Sequence, residues 1–312
     1  MNKKNAFFYA FIYLSALIGA GFATGKELYF YFFRYGKVSG ITGVFAAAVL
    51  FAASAYKTLI TVSRNSLSDC REVFVYLFGN TPGRLFHTVA NCFFIVLFAA
   101  MAASFGEIAN DLWNIPKNAA GFVFCVFCLL ASAKNSRLTE ITSIILCPCI
   151  LLGCPVLALS ANTSFDIAMP DPAVIGSAVI YTSYNLLTST AVLCGCKKAD
   201  KKTALLTAVI IFAAFFISGS LFGMLSDSSS QLPVFENIKN SPTKCVIYTF
   251  ILLCAIITTA LCNLRALPQK MPKTAAVITG YLISLCGFGK IVENLYFIFG
   301  MISCAVLTAL ML

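Results

Sequence analysis

Few residues of this 312-residue chain could do chemistry, and most of them stand inside long apolar runs. The first run contains Ile18-Gly-Ala-Gly-Phe-Ala-Thr-Gly-Lys-Glu-Leu28, with Gly19, Gly21 and Gly25 in seven residues. Glycines so close together weaken a helix and permit backbone shapes that other residues avoid. Thr24-Gly-Lys-Glu27 also fits the Ser/Thr-x-x-Glu capping box that starts helices. The expectation is a helix ending near Ile18, a short extended linker, and a second helix beginning near Gly25, with Thr24, Gly25 and Glu27 shaping the break. Free carbonyls at the first end attract cations, and free amides at the second attract anions.

Other polar residues occur in mid-run. Tyr181-Thr-Ser-Tyr-Asn-Leu-Leu-Thr-Ser-Thr190 is polar or amphipathic almost throughout. Short polar side chains can bond their own helix, but Tyr184 beside Asn185 suggests a lining for a solute or a gate. Ala255, Thr258 and Thr259 follow i, i+3, i+4 spacing and share one helix face. The two hydroxyls either make an oxygen-only site for a hard monovalent cation or simply bond neighbouring helices. Glu107 is a candidate for proton coupling or for holding an amino group, because carboxylates at membrane depth are functional by default. Enzyme chemistry is not expected. His87 is the sole histidine, and no His-Glu-x-x-His or paired acidic motif falls on a span. Fourteen cysteines lie mostly within apolar runs, where Cys behaves as a small hydrophobe.

The elements that position these residues are membrane spans. Hydrophobic residues make up 60% of the chain and charged ones 11%, against about 25% charged in a soluble domain. Ten apolar blocks have roughly the length that crosses hydrocarbon, at 6–33, 39–62, 85–111, 118–133, 138–160, 172–195, 203–225, 243–264, 272–289 and 291–311. The first is retained rather than cleaved, since no small-residue processing site follows it. With both termini cytoplasmic, inner segments hold 15 of the 22 lysines and arginines. The net charge of +10 therefore reflects topology in a cell membrane and not nucleic-acid binding. The chain divides into 5–160 and 172–312, five spans each, so any shared fold is inverted between the halves. Two loops have structure of their own: an interfacial amphipathic helix over 66–78, and a polar outer segment over 227–242.

The span 1 motif, with Tyr181-Thr-Ser-Tyr-Asn185 and Thr258-Thr259, resembles the YkvI-like family of bacterial membrane proteins, distant relatives of the amino acid–polyamine–organocation transporters. The resemblance covers essentially the whole chain and is most specific in span 1. It implies an all-α polytopic membrane protein with a LeuT-type 5+5 inverted repeat, in which helices 1 and 6 are broken. It further implies that the amides of Gly19, Ala20, Gly21 and Phe22 meet a substrate carboxylate beside Tyr181, Tyr184 and Asn185. A sodium site would comprise Ser15, Ile18, Ala255, Thr258 and Thr259. Sodium is favoured over protons as the coupling ion, because span 5 carries no lysine in its body. Glu27 departs from this pattern: within a turn of the carboxylate-binding amides, it either repels an anionic substrate or, if protonated, compensates its charge. The expected activity is secondary transport of a small amino-acid-like solute by alternating access, with no cofactor. The alternative is a non-transporting solute receptor on the same fold. The partners are a small solute and the lipid bilayer.

Overall fold

The computed structural model describes residues 3–132, 145–158, 169–194, 196, 199–223, 233–238, 240–268 and 270–312. Span 1 is three pieces: α1 (Lys3–Leu17), α2 (Ala20–Thr24) and α3 (Lys26–Tyr31). There follow α4 (Lys37–Asn65), α5 (Cys70–Phe78), α6 (Asn80–Trp113), α7 (Lys117–Ala131) and α8 (Ile145–Leu157). The second half holds α9 (Ala173–Leu193), α10 (Lys201–Phe222), α11 (Pro233–Ile238), α12 (Pro242–Ala266), α13 (Lys273–Ser284) and α14 (Phe288–Met311). Five of these (α4, α6, α10, α12 and α14) are single helices long and apolar enough to cross a membrane. The first part of span 5, residues 138–144, lies outside the described residues.

The outer faces confirm the solvent. On α7, Ala120, Gly121, Phe124, Cys125 and Cys128 are buried, while Phe122, Val123, Phe127 and Leu130 are exposed. Both stripes follow helical spacing and both are apolar. A soluble helix turns a polar face outward, so an apolar exterior belongs against hydrocarbon. The same holds for Val246 and Phe250 on α12 and for Ile278 and Leu282 on α13.

Two groups of helices form the body. In one, α1, α4, α9 and α10 pack together, with α14 against α9 and α4. In the other, α6 packs on α7, α12 and α13. The short α2 touches α6, α11 and α12, and therefore bridges from its own group to the second.

Three expectations require correction. Helix 6 is not broken: α9 runs continuously through the polar stretch. Its side chains bond carbonyls of their own preceding turn: Ser183 to Val179 (2.7 Å), Asn185 to Tyr181 (3.0 Å) and Thr188 to Asn185 (2.8 Å). Polarity satisfied this way leaves the backbone ladder intact. Second, the division between spans 9 and 10 falls at Gly287, which is left-handed at φ 87°, whereas Gly289 and Lys290 lie within α14. Third, the interfacial helix begins at Cys70 and not at Ser66. Asp69 caps it by accepting from the Glu72 amide (2.8 Å), and the Glu72 carboxylate accepts from the Ser68 amide and hydroxyl.

Candidate functional site

The break in span 1 has a different construction from the expected one. α1 ends at Leu17, and Gly19 is extended (φ −107°, ψ −168°). The residues after it are not an extended linker but the single helical turn of α2. Gly25 then turns left-handed (φ 82°), a shape costing an L-residue about 1–2 kcal/mol, and α3 starts. No capping box forms between Thr24 and Glu27. Thr24 still belongs to α2, so its hydroxyl donates back to the Gly21 carbonyl (3.2 Å) and accepts from the Lys26 amide (3.4 Å). A residue with helical backbone cannot serve as the N-cap, which needs extended geometry. Tyr248 of α12 holds the turn from outside by donating to the Ala23 carbonyl (3.1 Å).

Glu27 is thereby free to turn inward. Its carboxylate accepts from the Tyr184 hydroxyl of α9 (3.2 Å) and lies flat against Gly21. A Cβ at Gly21 would stand 1.9 Å from Glu27 Oε1, so only glycine admits this side chain. Around it four tyrosines converge from three elements: Tyr31 of α3, Tyr181 and Tyr184 of α9, and Tyr296 of α14. Ring centroids lie 5.3 Å apart for Tyr31–Tyr181, 5.6 Å for Tyr31–Tyr184, 5.4 Å for Tyr181–Tyr184 and 5.2 Å for Tyr184–Tyr296. None of the four is more than 1% exposed. Among the described residues the hydroxyls of Tyr31 and Tyr296 have no hydrogen-bond partner. Beside the cluster, buried Lys26 pairs with Glu293 of α14 (2.9 Å).

A second constellation lies where α1 ends. Ser15, Ile18, Thr258 and Thr259 line a cavity of about 10 Å³ with Leu146, Cys147 and Ile150 of α8. That is room for one water-sized guest. Three of the lining residues, Ser15, Thr258 and Thr259, carry hydroxyls, and Ile18 stands just past the end of α1. The Thr258 hydroxyl donates to the Cys254 (2.8 Å) and Ala255 (3.1 Å) carbonyls, and the Ser15 hydroxyl donates to Ile12 (2.9 Å). Ala255 takes part through that carbonyl and not as a wall of the cavity.

The sequence-predicted residues thus separate. Ser15, Ile18, Thr258 and Thr259 meet at one cavity. Gly21, Glu27 and Tyr184 meet at another place, with Tyr181 against them. The Asn185 amide is turned to its own helix, and Phe22 packs on Phe215 and Phe222 of α10. Glu107 stands apart from spans 1 and 6: it pairs with Lys117 and lines a cavity of about 90 Å³ with residues of α6 and α7 and, around the α13 terminus, Ser284, Leu285 and Gly287. Tyr31 and Tyr296 were not anticipated. Each sits in a run already rich in aromatics, and only their convergence on Glu27 distinguishes them.

No family model matches the sequence. YkvI of Bacillus subtilis (strain 168), described as an uncharacterized membrane protein, is 23% identical over 99% of this chain and 96% of its own length. YyaD of the same organism, described as an uncharacterized protein, is 22% identical over 96% of this chain and 94% of its own. Among solved structures, the inward-facing conformation of Mhp1 superposes with a TM-score of 0.64 at 13% identity, covering 97% of this chain and 75% of that one. A manganese transporter of Eremococcus coleocola superposes with a TM-score of 0.57 at 14% identity, covering 95% and 75%. The chain is a distant relative of YkvI and YyaD and shares the fold of these two structures.

Proposed function

We propose that this chain is a secondary transporter of a small amino-acid-like solute, coupled to sodium and working by alternating access. In this reading ten spans form two inverted five-helix repeats in the cell membrane, with both termini cytoplasmic. The solute binds between the break in span 1 and α9. Sodium binds among Ser15, Ile18, Thr258 and Thr259, with Ala255 fixing the Thr258 hydroxyl. The observation that carries the reading is the position of α2. A one-turn helix at membrane depth, held by α6, α11 and α12 while α1 packs with α9 and α10, lies on the seam between two helix groups. Irregular backbone is tolerated there only where protein or a wet cavity satisfies it. Motion of one group against the other would reshape the break, the tyrosine cluster and the oxygen-lined cavity together.

One of the two structural neighbours is a manganese transporter. Among the described residues no group of three or more His, Cys, Asp or Glu side chains could hold a metal ion. That likeness therefore supports the fold and not the cargo. A single-guest cavity lined by the hydroxyl-bearing Ser15, Thr258 and Thr259 suits a monovalent hard cation instead.

The test is the sodium dependence of ligand-induced thermal stabilisation in purified protein, comparing wild type with Thr258→Val, Thr259→Val. Sodium should sharpen the wild-type response and leave the double variant unmoved. An equal sodium response in both would remove the assignment.

A further inference from the structure

We propose that Glu27 and the tyrosines Tyr31, Tyr181, Tyr184 and Tyr296 form a recognition site for a cationic amine, so that the solute is held by its ammonium group. This deepens, and rests on, the reading of the span 1 break as the solute site. The carboxylate-binding role expected of the Gly19–Phe22 amides is at odds with the geometry. The protein's own carboxylate already lies against Gly21, and a second carboxylate brought there would meet a like charge in a low-dielectric setting.

The chemistry of the cluster favours the opposite sign. Glu27 is 4% exposed and, among the described residues, forms no ion pair. The neighbouring Lys26 is committed to Glu293. A buried carboxylate without a cation is costly to maintain. Four tyrosine rings close around it, and among the described residues the hydroxyls of Tyr31 and Tyr296 are buried with no hydrogen-bond partner. Unsatisfied buried hydroxyls are rare and call for an explanation. An ammonium group would supply it: one N–H bond to the carboxylate and further N–H bonds to phenol oxygens. The negative faces of the rings would add cation–π attraction. Phe93 of α6 covers Tyr184 (5.7 Å between ring centroids) and Tyr296 (5.5 Å), and parting of the two helix groups would uncover them to such a ligand.

The experiment compares three probe sets on the purified full chain at fixed sodium: free amino acids, their methyl esters, and their N-acetyl derivatives. The esters keep the amine and lose the carboxylate; the acetyl compounds do the reverse. Binding of free amino acids and esters without N-acetyl compounds supports the amine site. Binding of N-acetyl compounds without esters overturns it, as does binding of neither derivative. Glu27→Gln should weaken binding at least about 100-fold while the protein stays monodisperse and helical, and Glu27→Asp should recover part of the loss. An unweakened Glu27→Gln also overturns the proposal. The two readings fail separately. Amine binding without sodium-driven accumulation defeats the transporter reading alone, whereas sodium-driven uptake of an amine-free solute defeats the amine site alone.

Discussion

Span 1 and α9 face each other across the candidate site, and both carry polar or flexible residues at mid-membrane. Span 1 breaks and α9 does not. The difference lies in where the polar groups find partners. In α9, Ser183, Asn185, Thr188 and Ser189 each donate to a carbonyl three or four residues back, so polarity is absorbed within the helix. Glycines offer no such side chain. Gly25 adopts a left-handed shape, and Gly21 yields its flank to Glu27. A polar run is therefore a weaker sign of an unwound helix than a glycine beside a carboxylate that must be buried.

Substitutions can break this contrast, and the largest effect is expected at Gly21. Gly21→Ala should displace Glu27 and abolish ligand binding, read by titration, while Gly19→Ala should be tolerated because its Cβ finds nothing nearer than 3.5 Å. Equal loss in both would mean that the glycines act through the backbone alone. Gly25→Ala should destabilise the protein by about 1–2 kcal/mol, the cost of a left-handed L-residue, seen as a lower melting temperature. Tyr184→Phe removes a hydroxyl bonded to Glu27 and should weaken binding about tenfold. The smallest effect belongs to α9: Thr188→Val loses one bond to its own helix and should lower stability by about 0.5–1.5 kcal/mol with ligand binding unchanged. A large loss of binding there would place the polar run in direct contact with solute.

Much of the fold was legible in the sequence because bilayer thickness dictates block length. The apolar runs at 39–62, 203–225, 243–264 and 291–311 correspond to α4, α10, α12 and α14 within a few residues. The break was legible from glycine spacing, but its inner turn was not, because the contacts holding α2 come from α6, α11 and α12. The capping signature at Thr24 misled for a local reason: the preceding turn was already helical. The continuity of α9 depends on hydroxyl and amide rotamers that composition does not encode. At the site, Tyr184 stood out because it adjoins Asn185. Tyr31 and Tyr296, 265 positions apart, acquire meaning only when α3 and α14 meet at Glu27. Glu107, and not Glu27, was the carboxylate that the sequence offered for proton coupling or an amino group, yet Lys117 reaches it across the turn after α6 and pairs with it.

Transport and mere binding at the α2 seam differ in whether solute follows the sodium gradient. The direct measurement is uptake of a radiolabelled ligand by proteoliposomes, with an inward sodium gradient and with sodium equal on both sides. Accumulation above equilibrium is expected with the gradient alone, and is lost in Thr258→Val, Thr259→Val. Binding with no accumulation under either condition would contradict transport and leave a receptor in its place.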